Sequence, residues 1–182
     1  EGWHLFEEAV QAGVTIEKIF ALESYRDQLA TFPQTVWVSE EVLLDLADTQ
    51  TPQGIVAVIQ KEEVGLPDFR QGKFLFLEDV QDPGNVGTMI RTADAAGFTG
   101  VIVSDKSADI YSLKTLRSMQ GSHFHLPIYR MPVAAFVEEA KRSNLPILAT
   151  TLSRDSKDYR ELSPLENFAL VMGNEGQGIS SV

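Results

Sequence analysis

Apolar and polar positions follow helical and strand periods over the first 60 residues, which predicts a small α/β unit. Four apolar residues between Leu5 and Val10 form one helical face, and Gly13 is a suitable end for that helix. Short apolar or β-branched runs predict three strands, at Ile16–Leu22, Thr35–Val38 and Ile55–Ile59. With two further helices, the order of the elements is αβαβαβ.

Two serines are predicted to begin those further helices. Ser39 precedes Glu40 and Glu41, and a helix N-terminus favours both a serine cap and negative charge in its first turn. Ser24 is predicted to cap a short helix that runs through Leu29. The apolar face of the helix after Ser39 is predicted to consist of Val42, Leu43, Leu46 and Ala47.

Strand-like and helical segments also alternate after residue 72. The predicted strands are Phe74–Leu77, Gly100–Ser104, Phe124–Tyr129, Pro146–Thr150 and Phe168–Met172. The predicted helices are Val86–Ala96, Ser112–Met119 and Val133–Arg142. Most of these strands are continuous apolar runs, as expected when both faces of a parallel sheet are covered. The alternation therefore predicts an open α/β sheet.

A charged segment separates the two parts of the chain. Residues 61–72 carry Gly65, Pro67 and Gly72 and lie between two apolar runs, which is typical of a linker. We therefore expect an N-terminal domain over residues 1–60, a linker over residues 61–72 and a C-terminal domain over residues 73–182.

The composition excludes several classes of site. The chain has 182 residues, 43% of them hydrophobic, and no cysteine, which excludes disulfides, thiolate zinc sites and cysteine nucleophiles. Its apolar runs end after about five residues, whereas a membrane span needs about 20, so no membrane helix is predicted. The sequence does not begin with a recognisable export signal, and the expected location is the cytoplasm.

The loop after strand Phe74–Leu77 contains the first candidate site, because ligands bind at the carboxyl ends of strands in open parallel sheets. Pro83 and Gly84 predict a tight turn, and Asn85 is placed to cap the following helix. Arg91 lies opposite the apolar stripe of that helix, so it is free to face a substrate or partner. The alternative is a solvated arginine beside a structural cap. The apolar stripe consists of Val86, Met89, Ile90 and Ala93.

The second candidate loop, residues 173–180, follows strand Phe168–Met172 and reads GNEGQGIS. Its three glycines let a ligand approach the backbone closely. The glycine order is G-x-x-G-x-G, which differs from the dinucleotide fingerprint, and the lysine of a phosphate-binding P-loop is absent from this loop. The loop therefore argues against NAD and ATP. A structural turn is the alternative.

Other polar residues carry weaker signals. His123 and His125 are two apart, which would place them on one face of a strand, but no third metal ligand lies near them in the sequence, so no metal site is predicted. Glu78 and Asp79 end a strand and are candidates for chemistry, although such acids more often only polarise a strand end into solvent.

The two loops together resemble the motifs of a known family. DPGNVGTMIRTADAAGF resembles the first motif of the SpoU (TrmH) family of RNA ribose 2′-O-methyltransferases, and LVMGNEGQGIS resembles the second. The intervening segment RSMQGSHFHLPI fits as well. EGWHLFEEAVQAG and TPQGIVAV resemble the small substrate-binding domain that often precedes the catalytic domain. The resemblance covers nearly the whole chain.

The resemblance implies a fold, a cofactor and an assembly. The fold is α/β, with a small αβ N-terminal RNA-binding domain and a parallel-sheet catalytic domain of the trefoil-knot (SPOUT) type. The cofactor is S-adenosylmethionine, the substrate is RNA, and the protein is a homodimer through its catalytic domains. No metal is needed, because the sulfonium donor already carries its leaving group.

The resemblance also implies the site residues. Three polar residues match the family's catalytic positions, namely Asn85, Arg91 and Glu175. The implied cofactor-binding residues are Thr150, Leu152, Met172, Gly173, Asn174 and Gly178. A guanidinium loses its proton only above a pH of about 12, so Arg91 is better suited to hold an RNA phosphate or a developing alkoxide than to act as a base.

Members of the family have a third motif about 20 residues beyond the second, whereas this sequence ends at Val182 and begins at Glu1. We therefore expect a fragment in which the knot is incomplete. Its two-domain organisation favours ribosomal RNA over transfer RNA by family analogy. The alternatives are a transfer RNA ribose 2′-O-methyltransferase, a relative that binds RNA without methylating it, and an unrelated nucleotide-dependent enzyme such as a dehydrogenase.

The net charge of −11 is unusual for an RNA-binding protein, because phosphate binding favours a basic surface. Residues 1–72 hold 4 Lys or Arg and 13 Asp or Glu, whereas residues 73–182 hold 11 and 13. The acidity is therefore concentrated in the N-terminal domain, and the catalytic domain has enough basic residues for a local patch. The candidates are Lys114, Arg117, Arg130, Arg154, Lys157 and Arg160.

Overall fold

The computed structural model describes residues 1–61, 63–151, 153–154 and 156–180. The chain forms two compact units, Glu1–Glu63 and Val64–Val182. None of the helices in the described part of the chain is both long and apolar enough to cross a membrane.

The N-terminal unit is a three-stranded sheet with two helices. Its elements are α1 (Trp3–Ala12), β1 (Ile16–Leu22), β2 (Thr35–Val38), α2 (Glu40–Leu46) and β3 (Ile55–Ile59). The strand order is β2-β1-β3, with β2 parallel and β3 antiparallel to β1. The three strand predictions are confirmed. Gly13 ends α1 in the left-handed conformation, with a φ of 71°, which also confirms the predicted helix end.

The two serine predictions have different outcomes. Ser39 caps α2, because its side chain accepts a hydrogen bond from the Val42 backbone N–H. Only Leu43 of the predicted apolar face of α2 is fully buried, so that prediction is wrong in part. The prediction that Ser24 caps a helix is also wrong. Ser24 lies inside a one-turn 3₁₀ helix, Glu23–Tyr25, and turns follow it.

The C-terminal unit is a five-stranded parallel sheet, as predicted. Its elements are β4 (Lys73–Leu77), α3 (Pro83–Ala95), β5 (Gly100–Val103), α4 (Leu113–Met119), β6 (Ile128–Arg130), α5 (Val133–Arg142), β7 (Ile147–Ala149) and β8 (Phe168–Met172). The strand order is β6-β5-β4-β8-β7, and every neighbouring pair is parallel. Because β4 and β8 are neighbours, the loops that leave them meet at one edge of the sheet.

Apolar clusters cover both faces of this sheet. One cluster joins α3 and α4 to the strands, and the other joins α5 to the opposite face. Phe69 is buried in the second cluster, with its ring centroid 5.0 Å from that of Phe74 and 5.8 Å from that of Phe136. This part of the predicted linker therefore packs into the core of the C-terminal unit.

Gly87 allows α3 and α4 to pack closely. A Cβ on this residue would lie 2.6 Å from the Thr115 carbonyl oxygen and 2.9 Å from the Met119 nitrogen. The second glycine of the first motif therefore serves helix packing.

The strand predicted over Phe124–Tyr129 is wrong in its first half. A 3₁₀ helix occupies Ser122–Phe124, and β6 covers only Ile128–Arg130. The backbone N–H groups of His125 and Leu126 bind the Ser122 carbonyl, so they satisfy their hydrogen bonds locally rather than in the sheet.

Candidate active site

The loops after β4 and β8 are hydrogen-bonded to each other at the carboxyl edge of the sheet. The Glu78 N–H donates to the Met172 carbonyl at 2.8 Å, and the Asn174 side-chain amide donates to the Asp79 carbonyl at 2.8 Å. The residues of the two sequence motifs therefore form one site.

Asp82, not Asn85, caps α3, so that prediction is wrong. The Asp82 Oδ1 accepts the Asn85 N–H at 2.9 Å, and Pro83 occupies the first turn. The Lys114 Nζ lies 3.0 Å from Asp82 Oδ2, and this contact, followed by the Asn85 N–H, lowers the pKa of the Asp82 carboxyl. The side chain of Asn85 is consequently available for another partner.

That partner is Glu175. The Asn85 Nδ2 donates to Glu175 Oε1 at 3.0 Å. This hydrogen bond lowers the pKa of the Glu175 carboxyl, and backbone N–H groups, including those of Gln81 and Asp82, lower it further. Glu175 is therefore an oriented, ionised carboxylate at neutral pH, and two of the three predicted catalytic residues are in contact.

Arg91 is exposed on α3, on the side of the helix predicted for it. Among the described residues, no carboxylate lies within ion-pair distance of its guanidinium. Within the described ranges, no hydrogen bond or ion pair joins Arg91 to Asn85 or Glu175. Its charge is available for a ligand.

The loop over residues 173–180 folds back on itself. Asn174 and Gly178 exchange two backbone hydrogen bonds of 3.0 and 2.9 Å, and Asn174 Oδ1 accepts the N–H groups of Gly176 and Gln177. A Cβ on Gly173 would lie 2.5 Å from the Gly178 carbonyl group, and Gly178 has a φ of 71°. These two glycines are therefore required by the closure of the loop itself.

The predicted cofactor-binding residues at the ends of β7 and β8 lie side by side. The Thr150 hydroxyl donates to the Val171 carbonyl at 3.0 Å and lies 3.6 Å from the Met172 sulfur. Met172 leads directly into Gly173. Leu152 lies outside the described residues.

Sequence reasoning missed a polar network beneath this site. Glu78 is buried, with 4% of its surface exposed, and accepts the Ser180 N–H at 2.9 Å. The expectation that this acid points into solvent is therefore wrong. Asp79 has a φ of 54°, and its carboxylate accepts a hydrogen bond of 2.6 Å from the Ser104 hydroxyl. Ser107 joins the network through Ser104.

The two histidines do not share a strand face, so that prediction is wrong. Among the described residues, the Nδ1 atom of His123 is buried without a hydrogen-bond partner, and burial, with a contribution from His125, lowers the pKa of His123 to about 4. His125 instead pairs with Asp94 at 2.8 Å. Within the described ranges, no group of three or more metal-ligating side chains occurs.

Several candidate basic residues are engaged in contacts within the chain. Lys114 pairs with Asp82, and Arg160 pairs with Asp158. The Arg130 guanidinium donates to the carbonyl groups of Ser104 and Asp105 at 2.9 and 3.3 Å. Carboxylates therefore partly neutralise Lys114 and Arg160, whereas Arg130 is held by backbone carbonyl groups and keeps its charge.

Comparisons with known proteins match both units of the chain. The model of the SpoU rRNA Methylase family matches residues 72–182, and that of the MRM3-like substrate binding domain matches residues 1–57. The chain is 42% identical over 183 residues to the 23S rRNA (guanosine(2553)-2'-O)-methyltransferase RlmP of Bacillus subtilis (strain 168), covering 100% of this chain and 73% of that protein.

Two solved structures with bound AdoMet have the same fold. One is an rRNA methyltransferase from Sinorhizobium meliloti, with a TM-score of 0.85 and 31% identity, covering 99% of this chain and 71% of that one. The other is the SpoU methyltransferase AviRb from Streptomyces viridochromogenes, with a TM-score of 0.78 and 27% identity, covering 98% and 73% of the two chains.

Proposed function

The chain belongs to the SpoU rRNA methylase family and is an S-adenosylmethionine-dependent RNA ribose 2′-O-methyltransferase, and we propose that its substrate is ribosomal RNA. The observation that carries the activity is the contact between the two motif loops, in which Asn85 binds Glu175. The substrate rests on the Bacillus subtilis relative, whose name gives 23S rRNA, and on its 42% identity over the whole of this chain.

We propose that RNA binding and methyl transfer are performed by different domains. Residues 1–60 bind the RNA substrate, residues 61–72 connect the domains, and residues 73–182 hold the cofactor and perform the transfer. The match of the MRM3-like substrate binding domain to residues 1–57 supports the first assignment.

The residues at the ends of β7 and β8 fit S-adenosylmethionine. Thr150, Met172 and Gly173 offer a hydroxyl, a thioether and backbone groups, which suit an uncharged nucleoside better than a phosphate. The ionised Glu175 carboxylate on the same loop suits a positively charged group. When bound, S-adenosylmethionine supplies an activated methyl group, because its positively charged sulfonium leaves as a neutral thioether. Leu152, Asn174 and Gly178 complete the proposed cofactor-binding set.

Asn85 and Glu175 are proposed to orient the ribose. One N–H of the Asn85 amide is held by the Glu175 carboxylate, so the orientation of the amide is fixed and its oxygen remains available to accept a hydrogen bond from the 2′-hydroxyl. Positioning of this kind supplies several kcal/mol of a barrier.

Arg91 is proposed to stabilise negative charge. Its guanidinium stays protonated at neutral pH, which makes it a poor base but a suitable partner for an RNA phosphate or a developing alkoxide. Its exposure on α3 and the lack of a carboxylate partner among the described residues support this role.

The proposal extends to a homodimer through the catalytic domains, to the trefoil knot and to a location in the cytoplasm. These three features rest on the resemblance of the motifs to the family and on the ribosomal substrate. Sedimentation of the full-length protein tests the first, since a monomer at all concentrations would contradict it.

Methylation of purified RNA tests the function. The full-length protein is incubated with labelled S-adenosylmethionine and either ribosomal or transfer RNA, and the modified ribose is then mapped. We expect a methyl group on one 23S rRNA ribose. Transfer only to transfer RNA would contradict the proposed substrate, and transfer to neither RNA would indicate a relative that binds RNA without methylating it.

A further inference from the structure

Glu78 is a buried carboxylate for which the reaction has no direct use. It follows the last residue of β4, and only 4% of its surface is exposed. Its Oε1 accepts the Ser180 N–H at 2.9 Å, and its own N–H donates to the Met172 carbonyl at 2.8 Å. A buried carboxylate is costly unless it is hydrogen-bonded, so the bond to Ser180 is an important contact of this side chain.

The next residue, Asp79, holds the other end of the same loop. Its carbonyl oxygen accepts the Asn174 side-chain amide at 2.8 Å. Its φ of 54° lies in the left-handed region, which is unfavourable for most residues with a side chain. Two hydrogen bonds to the Ser104 hydroxyl, of 2.8 Å from the Asp79 N–H and 2.6 Å to its carboxylate, hold this conformation.

Glu78, Asp79, Asn174 and Ser180 therefore form what we term the loop clamp. Two adjacent residues at the start of the loop after β4, just before the first motif, bind the second-motif loop at positions 174 and 180. Between these points the loop is closed by the backbone bonds of Asn174 and Gly178, and it carries Glu175 to Asn85. Fixing both ends of the loop thus also fixes a predicted catalytic contact.

We propose that Glu78 is a positioning residue for S-adenosylmethionine, acting through Ser180 to hold the cofactor loop in its binding conformation. This inference rests on the proposed function, which assigns residues 173–180 to the cofactor. A charged acceptor forms a stronger hydrogen bond than a neutral one, which explains an acid at this buried position. Without it, part of the binding free energy must order the loop, and the apparent affinity falls accordingly.

The test compares three variants of the full-length protein with the wild type. Glu78→Leu removes the acceptor, Glu78→Gln keeps an acceptor of similar shape, and Phe136→Leu weakens the core at a site on α5. Calorimetry gives the dissociation constant for S-adenosylmethionine, and steady-state assays give KM and kcat. RNA affinity and the melting temperature are measured in parallel.

We expect Glu78→Leu to weaken S-adenosylmethionine binding by about ten- to a hundredfold, to raise KM more than it lowers kcat, and to leave RNA affinity unchanged. Glu78→Gln should recover most of the affinity. If Glu78 only stabilised the fold, Phe136→Leu would weaken cofactor binding as much as Glu78→Leu does when both variants lose the same melting temperature. That outcome would overturn the positioning role.

The outcomes separate this inference from the function on which it rests. If the wild type binds S-adenosylmethionine and Glu78→Leu binds it equally well, the positioning role is overturned and the methyltransferase assignment stands. If the wild type neither binds S-adenosylmethionine nor transfers its methyl group, the proposed function itself is overturned.

Discussion

The Asn85 side-chain amide donates a hydrogen bond of 3.0 Å to the Glu175 carboxylate, although the two residues are 90 positions apart in the chain. The Asn85 side chain is available for this contact because Asp82, three residues earlier, caps the helix. Glu175 reaches Asn85 from a turn that Asn174 closes, because the Asn174 Oδ1 accepts the N–H groups of Gly176 and Gln177. The contact therefore depends on the order of both loops.

A double-mutant cycle tests whether this contact contributes to catalysis. We expect Asn85→Ala and Glu175→Ala each to lower kcat/KM, and the double variant to lose less than the sum of the two effects. The expected coupling is about 1 kcal/mol, because one hydrogen bond to an ionised but exposed carboxylate is removed in each case. Gln177→Ala is a matched control in the same turn, since only the backbone N–H of Gln177 takes part in the loop closure. Additive effects would mean that the two residues act separately.

Arg91→Ala should abolish most methyl transfer while cofactor binding survives. A positive charge that stabilises a developing alkoxide or holds a phosphate acts on the RNA side of the reaction, so its loss should cost about a hundredfold or more in kcat. The S-adenosylmethionine dissociation constant, measured by calorimetry, should stay within about twofold of the wild-type value. Lys141→Ala, in the last turn of α5, is the control. Near-normal transfer by Arg91→Ala would contradict its catalytic assignment.

Most of the fold was predictable because its elements are local. The strands Ile55–Ile59 and Phe168–Met172 are short, continuous apolar runs with clear boundaries, and both appear at the predicted positions. The segment Phe124–Tyr129 is also rich in apolar residues, but positive φ angles at Gln120 and Gly121 turn the chain sharply just before a 3₁₀ helix. Burial of Leu126 explains its apolar character without a strand.

The candidate site was predictable only in part, since its contacts join distant positions. Asp82 followed by Pro83 is itself a signal for a helix start, because aspartate is favoured as an N-cap and proline is favoured at the first helical position. No comparable signal exists for Glu78, whose partner Ser180 lies 102 positions away. Periodicity reports which face of an element is buried, and it carries no information on such long-range polar pairs.

Gly87→Ala should destabilise the protein by about 2 kcal/mol, because the new methyl group would be forced into the backbone of α4. The added Cβ would lie 2.6 Å from the Thr115 carbonyl oxygen, and that atom cannot move without disturbing the helix. Urea unfolding measures the change in the free energy of unfolding. Gly65→Ala is the matched control, since a Cβ there meets no atom within 4 Å. An equal effect of both substitutions would refute close packing as the cause.

RNA binding should be salt-dependent through the catalytic domain despite the acidity of the chain. Lys106 is exposed and lies 3.6 Å from Asp79 at the edge of the proposed site, where an RNA phosphate would approach. We expect Lys106→Gln to reduce the slope of log affinity against log salt by about 0.7 to 0.9, the contribution of one phosphate contact. Lys18→Gln, at an exposed position of β1 in the acidic unit, should leave the slope unchanged. The reverse pattern would assign the electrostatic contacts to the N-terminal unit.

The half-buried His123, whose Nδ1 atom is enclosed, should make the protein less stable in mild acid. Its pKa is lowered from 6.5 to about 4, so below pH 6.5 the unfolded chain binds a proton that the folded chain does not yet bind. The stabilisation by neutral His123 is therefore complete above about pH 6.5 and is lost progressively as the pH falls to about 4. The expected loss is about 3 kcal/mol over this interval.

His123→Phe keeps an aromatic ring beside Phe124, whose centroid lies 3.9 Å away, but removes the titrating group. Its free energy of unfolding, measured in urea at several pH values, should therefore fall less than that of the wild type between pH 6.5 and 4. If His123→Phe shows the wild-type slope, the acid sensitivity belongs to other groups, such as the Asp82 carboxyl, whose pKa is lowered by Lys114 and which is left intact in both proteins.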